Sequence, residues 1–327
     1  MSTHIYNLND IADQLKIYGR HKILPTGVTC DFTASGIEFC VYAEGTVTLT
    51  ILSTAQSFFT VWVDGIRAET RFEVNEGQNE LVLACFDTCD IHTIRVLKQN
   101  EPRHALCVLA SLTFNGHLAP RPANAKHLIE FIGDSITCGY GNLCLKGTEN
   151  AGDAIHQDGT QAFAYLTAME LGVDHSMVSH SGIGITKGYA TFPMSTLYPK
   201  RYYLRDANEL FLPDRIPNLA VINLGTNDKS KGAEPAQFVR DANALIETVR
   251  TLYSPALPII WVCNMLHNGY MEYIGTLLEQ KGGESAGLYL CKMESDQTGG
   301  DSHPILRAHY VASKRLAEFI KSKKLLP

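Results

Sequence analysis

The amino-acid sequence predicts an antiparallel β-sandwich followed by a doubly wound α/β domain with a parallel sheet. Residues 27–115 are short β-rich runs parted by turn residues, with almost no helical periodicity. From residue 128 onward, apolar strand-like runs alternate with helical segments. Between these two rhythms lies His117–Lys126, a stretch of proline, alanine and asparagine suited to an interdomain connection. The domains are therefore expected over residues 1–122 and 123–327 of the 327-residue chain.

Before the sandwich, Leu8–Leu15 reads as a short amphipathic helix with Asn7 or Asn9 as its cap. The expected strands are Ile37–Tyr42, Val47–Leu52, Phe58–Val63, Arg67–Val74, Glu80–Cys85, Thr93–Leu97 and Leu106–Phe114. Asp64-Gly65 is a hairpin signal, because both residues tolerate the positive φ of a tight two-residue turn. In the second domain, strands are expected at Leu128–Ile132, Ser176–Ser179, Leu219–Leu224 and Pro258–Cys263. Helices are expected from Thr160, as cap, to Leu171, from Pro235 to about Leu252, and from Pro304 to Lys321.

With 45% hydrophobic and 19% charged residues, the chain can bury real cores. A formal net charge of −6 argues against nucleic acid or an anionic membrane as the main partner. The basic cluster near the C-terminus (Arg307, Lys314, Arg315, Lys321, Lys323, Lys324) reads as a solvated helix face. The nine cysteines are odd in number and lack a Cys-x-x-Cys pair, so reduced thiols are expected rather than a disulfide frame or a zinc site. No metal or cofactor is expected. Residues 1–22 hold no apolar signal-peptide core, and no run reaches the roughly 18 apolar residues of a membrane span. A soluble, cytoplasmic protein is the expectation, and the sequence leaves a homo-oligomer open.

Four segments carry chemistry, each at the end of an expected element. Ser135 follows an apolar strand within Gly133-Asp134-Ser135-Ile136-Thr137, which presents its hydroxyl at the sheet edge and its N–H toward a helix start. Gly225-Thr226-Asn227-Asp228 closes a second strand, where the Asn227 amide could meet an oxyanion. Ser181-Gly182-Ile183-Gly184-Ile185 follows a third, and its glycines leave backbone N–H groups unobstructed. Asp301-Ser302-His303-Pro304 brings a histidine to the start of the last helix. A nucleophile, a base and oxyanion donors are what ester hydrolysis requires. Each segment alone is commonly a plain turn; the four together, in this order, outweigh any one.

These four segments resemble the four sequence blocks of the SGNH (GDSL-type) hydrolases. Gly19-Arg20, Ile37-Glu38-Phe39, the Val63-Asp64-Gly65 hairpin and the run from Ile129 to Gly141 are further similar to carbohydrate esterase family 2. That resemblance spans nearly the whole chain. It implies a jelly-roll-type sandwich joined to a three-layer α/β/α SGNH domain that deacetylates plant polysaccharides such as xylan and mannan. It makes Ser135 the nucleophile and His303 the general base. The oxyanion hole is then the Ser135 N–H, a Gly184 or Gly182 N–H, with spacing favouring Gly184, and the Asn227 side chain.

Two departures follow from the same resemblance. Most SGNH enzymes carry an acid three residues before the histidine, where this chain has Gly300; Asp301 lies two before. Family 2 shares the shorter spacing, so the backbone carbonyl of Asp301 rather than its carboxylate is expected to orient His303. Ser302 stands where the family often has an aromatic. Sugar stacking would then fall to Tyr189, Phe192, Tyr198, Tyr202, Tyr203, Trp261 or Tyr270, whereas Trp62 reads as sandwich core. The implied substrate is an acetylated xylo- or manno-type oligosaccharide. The competing readings are a lipase- or thioesterase-type hydrolase on non-carbohydrate esters and a non-catalytic carbohydrate-binding protein.

Overall fold

A computed structural model describes residues 2–200, 209–294 and 296–326 of the chain. The described residues fall into two compact units, one reaching Asn124 and the other starting at Ala125.

In the first unit, strands β1 (Thr3–Asn7), β2 (Lys16–Tyr18), β3 (Ile23–Leu24), β4 (Gly27–Cys30), β5 (Gly36–Ser53), β6 (Ser57–Val63), β7 (Ile66–Arg67), β8 (Phe72–Val74), β9 (Gly77–Lys98) and β10 (Cys107–Leu118) form one curled antiparallel sheet. Its main path runs β3-β4-β10-β5-β9-β6-β7. Pairs of expected strands turn out to be single long ones. Ile37–Tyr42 and Val47–Leu52 are both β5, and Glu80–Cys85 and Thr93–Leu97 are both β9. Register shifts between Ala43 and Gly45 and between Val47 and Thr48 absorb the turn-like residues as bulges, which bend a strand without ending it. Conversely, Arg67–Val74 divides into β7 and β8. Asp64 and Gly65 both take positive φ, at 50° and 80°, as the hairpin signal required.

The expected helix at Leu8–Leu15 is absent; only a 3₁₀ turn, Ala12–Gln14, forms there. The Leu8 N–H donates instead to the Ala110 carbonyl, and the Asn7 and Asn9 amides both bind Asp10, local bonds that compete with a helix. Leu8, Ile11 and Leu15 still enter the apolar core with Ile37, Phe39, Val47 and Leu49.

The second unit holds five parallel strands: β11 (Leu128–Gly133), β12 (Asp174–Ser179), β13 (Leu219–Asn223), β14 (Ile259–Cys263) and β15 (Leu288–Lys292). Their order, β12-β11-β13-β14-β15, reverses direction at β11, so the carboxyl ends of β11 and its neighbours flank a topological switch point. The helices are α1 (Ser135–Cys138), α2 (Phe163–Leu171), α3 (Met194–Leu197), α4 (Thr226–Ser230), α5 (Pro235–Leu252), α6 (Met271–Gln280) and α7 (Leu306–Ser322). Helix α5 has the expected bounds, with proline in its first turn and Phe238, Ala242, Leu245, Ile246 and Val249 forming one buried stripe. Thr160 does not cap α2. It sits in a 3₁₀ turn, bound through its N–H and hydroxyl to the Asp158 carboxylate, and the helix begins three residues later.

All nine cysteines are free thiols. Burial pushes the Cys30 and Cys263 thiols up to about 12, leaving them far from thiolate reactivity. On α7 Lys314 and Lys321 pair with Glu170, and Lys323, just past its end, pairs with Glu284. No helix among the described residues is long and apolar enough to cross a membrane.

Candidate active site

Strand β11 is buried from Ile129 to Gly133. Asp134 then turns out of the sheet and caps the single turn of α1, its Oδ1 accepting from the Ile136 N–H at 3.0 Å. Ser135 is the first residue of that turn and 7% exposed. Its N–H is one of the donors a helix start leaves without an intrahelical partner, and no described acceptor takes it.

The Ser135 Oγ lies 2.8 Å from His303 Nε2, across 168 residues of sequence. The other ring nitrogen of His303, Nδ1, is 3.2 Å from the Asp301 backbone oxygen. A carbonyl only accepts, so Nδ1 carries the hydrogen, and in the neutral imidazole Nε2 is then the acceptor for the serine hydroxyl. The Asp301 carboxylate points elsewhere: its Oδ2 accepts from the Tyr140 hydroxyl at 2.6 Å. The Tyr140 ring also packs on the imidazole, with centroids 4.5 Å apart and planes at 37°.

The turn that presents His303 is strained. Asp301 (φ 48°) and Ser302 (φ 64°) are consecutive non-glycine residues in the left-handed region, at about 1–2 kcal/mol each. Backbone bonds hold it in place: Gly300 N–H to Gly141 O at 3.0 Å, Gly299 N–H to His303 O at 2.8 Å, and His303 N–H to Gly300 O at 2.9 Å. Gly300 could not carry the acid that its position relative to His303 would suggest. A Cβ there would lie 2.6 Å from Cys144 Sγ and 2.7 Å from Ala151 Cβ.

The other two blocks meet at the neighbouring strand ends. Asn227 follows β13 in α4, 7% exposed, and its Nδ2 donates to Ile183 O at 2.9 Å and, more weakly, to Asp134 Oδ2 at 3.3 Å. Asp228, fully buried, accepts from the N–H groups of Ile185 (3.0 Å), Thr186 (2.7 Å) and Lys187 (2.9 Å). Burial raises its pKa even though those three donors favour the ionised form. Gly184 is buried where a Cβ would come within 1.9 Å of Lys187 O, and its N–H has no described acceptor. Gly182 lies closer to β12, its carbonyl accepting from Tyr189 and Ala190. Ser135, Asn227 and the Gly182–Gly184 segment thus follow carboxyl ends of strands in one parallel sheet; Ser135 bonds His303, Asn227 bonds the Ile183 carbonyl, and Asp134 links the two pairs.

Residues 131–288 match the GDSL-like Lipase/Acylhydrolase family. The matched segment holds Ser135 and Asn227. It is 29% identical over 314 residues to the cellulase/esterase CelE of Acetivibrio thermocellus, covering 91% of this chain and 38% of that protein. It is 28% identical over 221 residues to an acetylxylan esterase/glucomannan deacetylase of Cellvibrio japonicus, covering 61% of this chain and 60% of that protein. The chain therefore spans less than two thirds of the length of either relative. Among solved structures, a family two carbohydrate esterase from Clostridium thermocellum in complex with cellohexaose superposes with a TM-score of 0.87 at 27% identity, over 95% of this chain and 100% of that one.

Of the five described aromatics expected to stack on sugar, three are core. Tyr198 is buried with its hydroxyl on Glu130, Trp261 is buried with its indole N–H on the Leu224 carbonyl, and Tyr270 packs on Phe238 and bonds the Ala233 carbonyl. Phe192 is half-buried against His180, and Tyr189 alone of those described is well exposed, with Lys231 Nζ 3.8 Å over its ring. Tyr202 and Tyr203 lie outside the described residues. Trp62 is buried in β6, as expected of sandwich core. Among the described residues, no cluster of His, Cys, Asp or Glu side chains could hold a metal ion.

Sequence reasoning missed three residues that the structure places in this candidate site. Asp228 was legible as part of the Gly-Thr-Asn-Asp block but not as the anchor of the Gly184 loop. Asp134 joins two blocks through one carboxylate. Tyr140, beside His303, had no signal beyond its place in the longest matching run.

Proposed function

We propose that this chain is a carbohydrate O-acetyl esterase that releases acetate from xylo- or manno-type oligosaccharides through a serine acyl-enzyme. The 2.8 Å contact between Ser135 Oγ and a His303 whose Nδ1 faces a carbonyl carries the reading, because it presents a neutral, acceptor-competent Nε2 to the hydroxyl. Nε2 takes the Ser135 proton as Oγ attacks the acetyl carbonyl. The Asp301 carbonyl supports the imidazolium that forms. The developing oxyanion is received by the Ser135 N–H, the Gly184 N–H and the Asn227 amide hydrogen held only at 3.3 Å by Asp134. Collapse expels the sugar alkoxide, which takes the proton from His303 and leaves acetyl-Ser135. Water, deprotonated by the same Nε2, then releases acetate and restores the hydroxyl.

The relatives' names, acetylxylan esterase/glucomannan deacetylase and cellulase/esterase, support the substrate class. The test is acetate release from acetylated xylo- and manno-oligosaccharides compared with hydrolysis of medium-chain esters. Faster medium-chain turnover would favour a lipase-type reading, and release of neither would leave a binding protein.

A further inference from the structure

The geometry points to Tyr140 as a positioning residue for the reaction, holding the Asp301 carboxylate so that the Asp301 carbonyl, not the carboxylate, faces His303. This inference rests on the esterase reading above. The Asp301 carboxylate is largely exposed and belongs to the residue two before the imidazole in the chain. A carboxylate accepting the Nδ1 hydrogen would replace the carbonyl and release the left-handed turn. What stands against that exchange is the 2.6 Å bond from the Tyr140 hydroxyl to Oδ2. A hydrogen bond to a charged acceptor is among the stronger kinds, and this one ties two segments 161 residues apart.

Tyr140 is itself well placed to act as a fixed post. It follows the Gly139 end of α1, where its N–H donates to the Ser135 carbonyl at 3.0 Å. One residue later, the Gly141 carbonyl accepts from Gly300. The segment that presents the serine therefore also grips the histidine turn at three points: backbone to Gly300, hydroxyl to Asp301, ring to imidazole. The hydroxyl and ring of Tyr140 meet Asp301 and His303, and its effect on the reaction passes through them.

Tyr140→Phe keeps the ring against the imidazole and removes only the hydroxyl. Steady-state kinetics on 4-nitrophenyl acetate should show kcat down about tenfold with KM little changed, the size expected for losing one charge-assisted hydrogen bond. Asp301→Ala removes the carboxylate that would swing as well as the bond, so it should cost less than Tyr140→Phe, and adding Tyr140→Phe to it should cost nothing further. Asp301→Asn, which leaves the hydroxyl a weaker, neutral acceptor, should cost less than Tyr140→Phe and should give no recovery in the Tyr140→Phe background. Thermal melts check that each variant is folded. Wild-type kcat in Tyr140→Phe, additive losses in the double variant, or a rise confined to KM would overturn the assignment. Ser135→Ala run in parallel separates the two ideas: if it stays active, the esterase reading fails, whatever Tyr140→Phe does.

Discussion

The turn carrying Ser135 and the turn carrying His303 differ in what holds them. Ser135 follows a strand paired on both sides, by β12 and β13, and opens a helical turn capped by its own neighbour Asp134. Its geometry is local and relaxed. His303 follows no such strand directly: ten residues separate it from β15, two of them in left-handed conformations, and partners in the 139–146 segment hold it. A regular element can place a side chain by ordinary hydrogen-bond periodicity. An irregular turn is placed only by the contacts that over-determine it, and tolerates strain for the same reason.

The largest expected effects break both sides of this comparison at once. Ser135→Ala and His303→Ala should each lower kcat/KM for acetyl esters by roughly 10³-fold or more, while the protein stays folded. A variant of either residue keeping a tenth of the wild-type rate would show that the 2.8 Å pair is not the reacting pair. Asn227→Ala probes the strand side alone. It should lower kcat by roughly 10²-fold with KM similar, as for a donor acting mainly in the transition state. An increase in KM alone would make Asn227 a substrate-positioning residue.

Gly300→Ala probes the turn side. Its Cβ would meet Cys144 Sγ and Ala151 Cβ at 2.6 and 2.7 Å, so overpacking should cost about 1–3 kcal/mol in urea unfolding and shift His303 from the serine. Unchanged stability would mean that the turn is less constrained than its contacts indicate.

The smallest effect sharpens the contrast through His309 on α7, which is fully buried with its Nδ1 accepting from the Phe163 N–H at 3.1 Å. Burial, the largest cause, pushes its pKa from the usual 6.5 down to about 3. The unfolded chain therefore takes up a proton that the folded chain refuses as pH falls below about 6.5. This contribution is whole above that pH and declines at about 1.4 kcal/mol per pH unit on the way down to about 3. His309→Asn, which can still accept from Phe163, should flatten the loss of stability between about pH 6 and 4 by about that slope. Unfolding curves with the same pH dependence as wild type would assign the acid sensitivity to other groups.

Much of the second unit was legible because its elements carry periodic apolar faces. Helix α5 and strands β11, β13 and β14 follow from residues that only a buried strand or a one-sided helix would need. Helix α6 and strand β15 escaped notice. In the first unit the turn-like residues around Ala43 and Gly45 read as chain reversals, whereas pairing on both edges carries β5 straight through them as bulges. Leu8, Ile11 and Leu15 have helical spacing, but their burial is met by a loop against the sheet.

The sequence by itself determined which residues are candidates for the chemistry. A serine after an apolar strand, an asparagine after another, glycines after a third and a histidine before the last helix are placed by short-range pattern, and a parallel sheet brings strand ends to one edge whatever their distance in sequence. Only the tertiary structure decided which oxygen of Asp301 serves the histidine. Carboxylate and carbonyl belong to the same residue, so no spacing tells them apart. The choice lies in the φ of two strained residues, the lack of room beside Gly300 and the hydroxyl of Tyr140, which reaches Asp301 from 161 residues earlier in the chain.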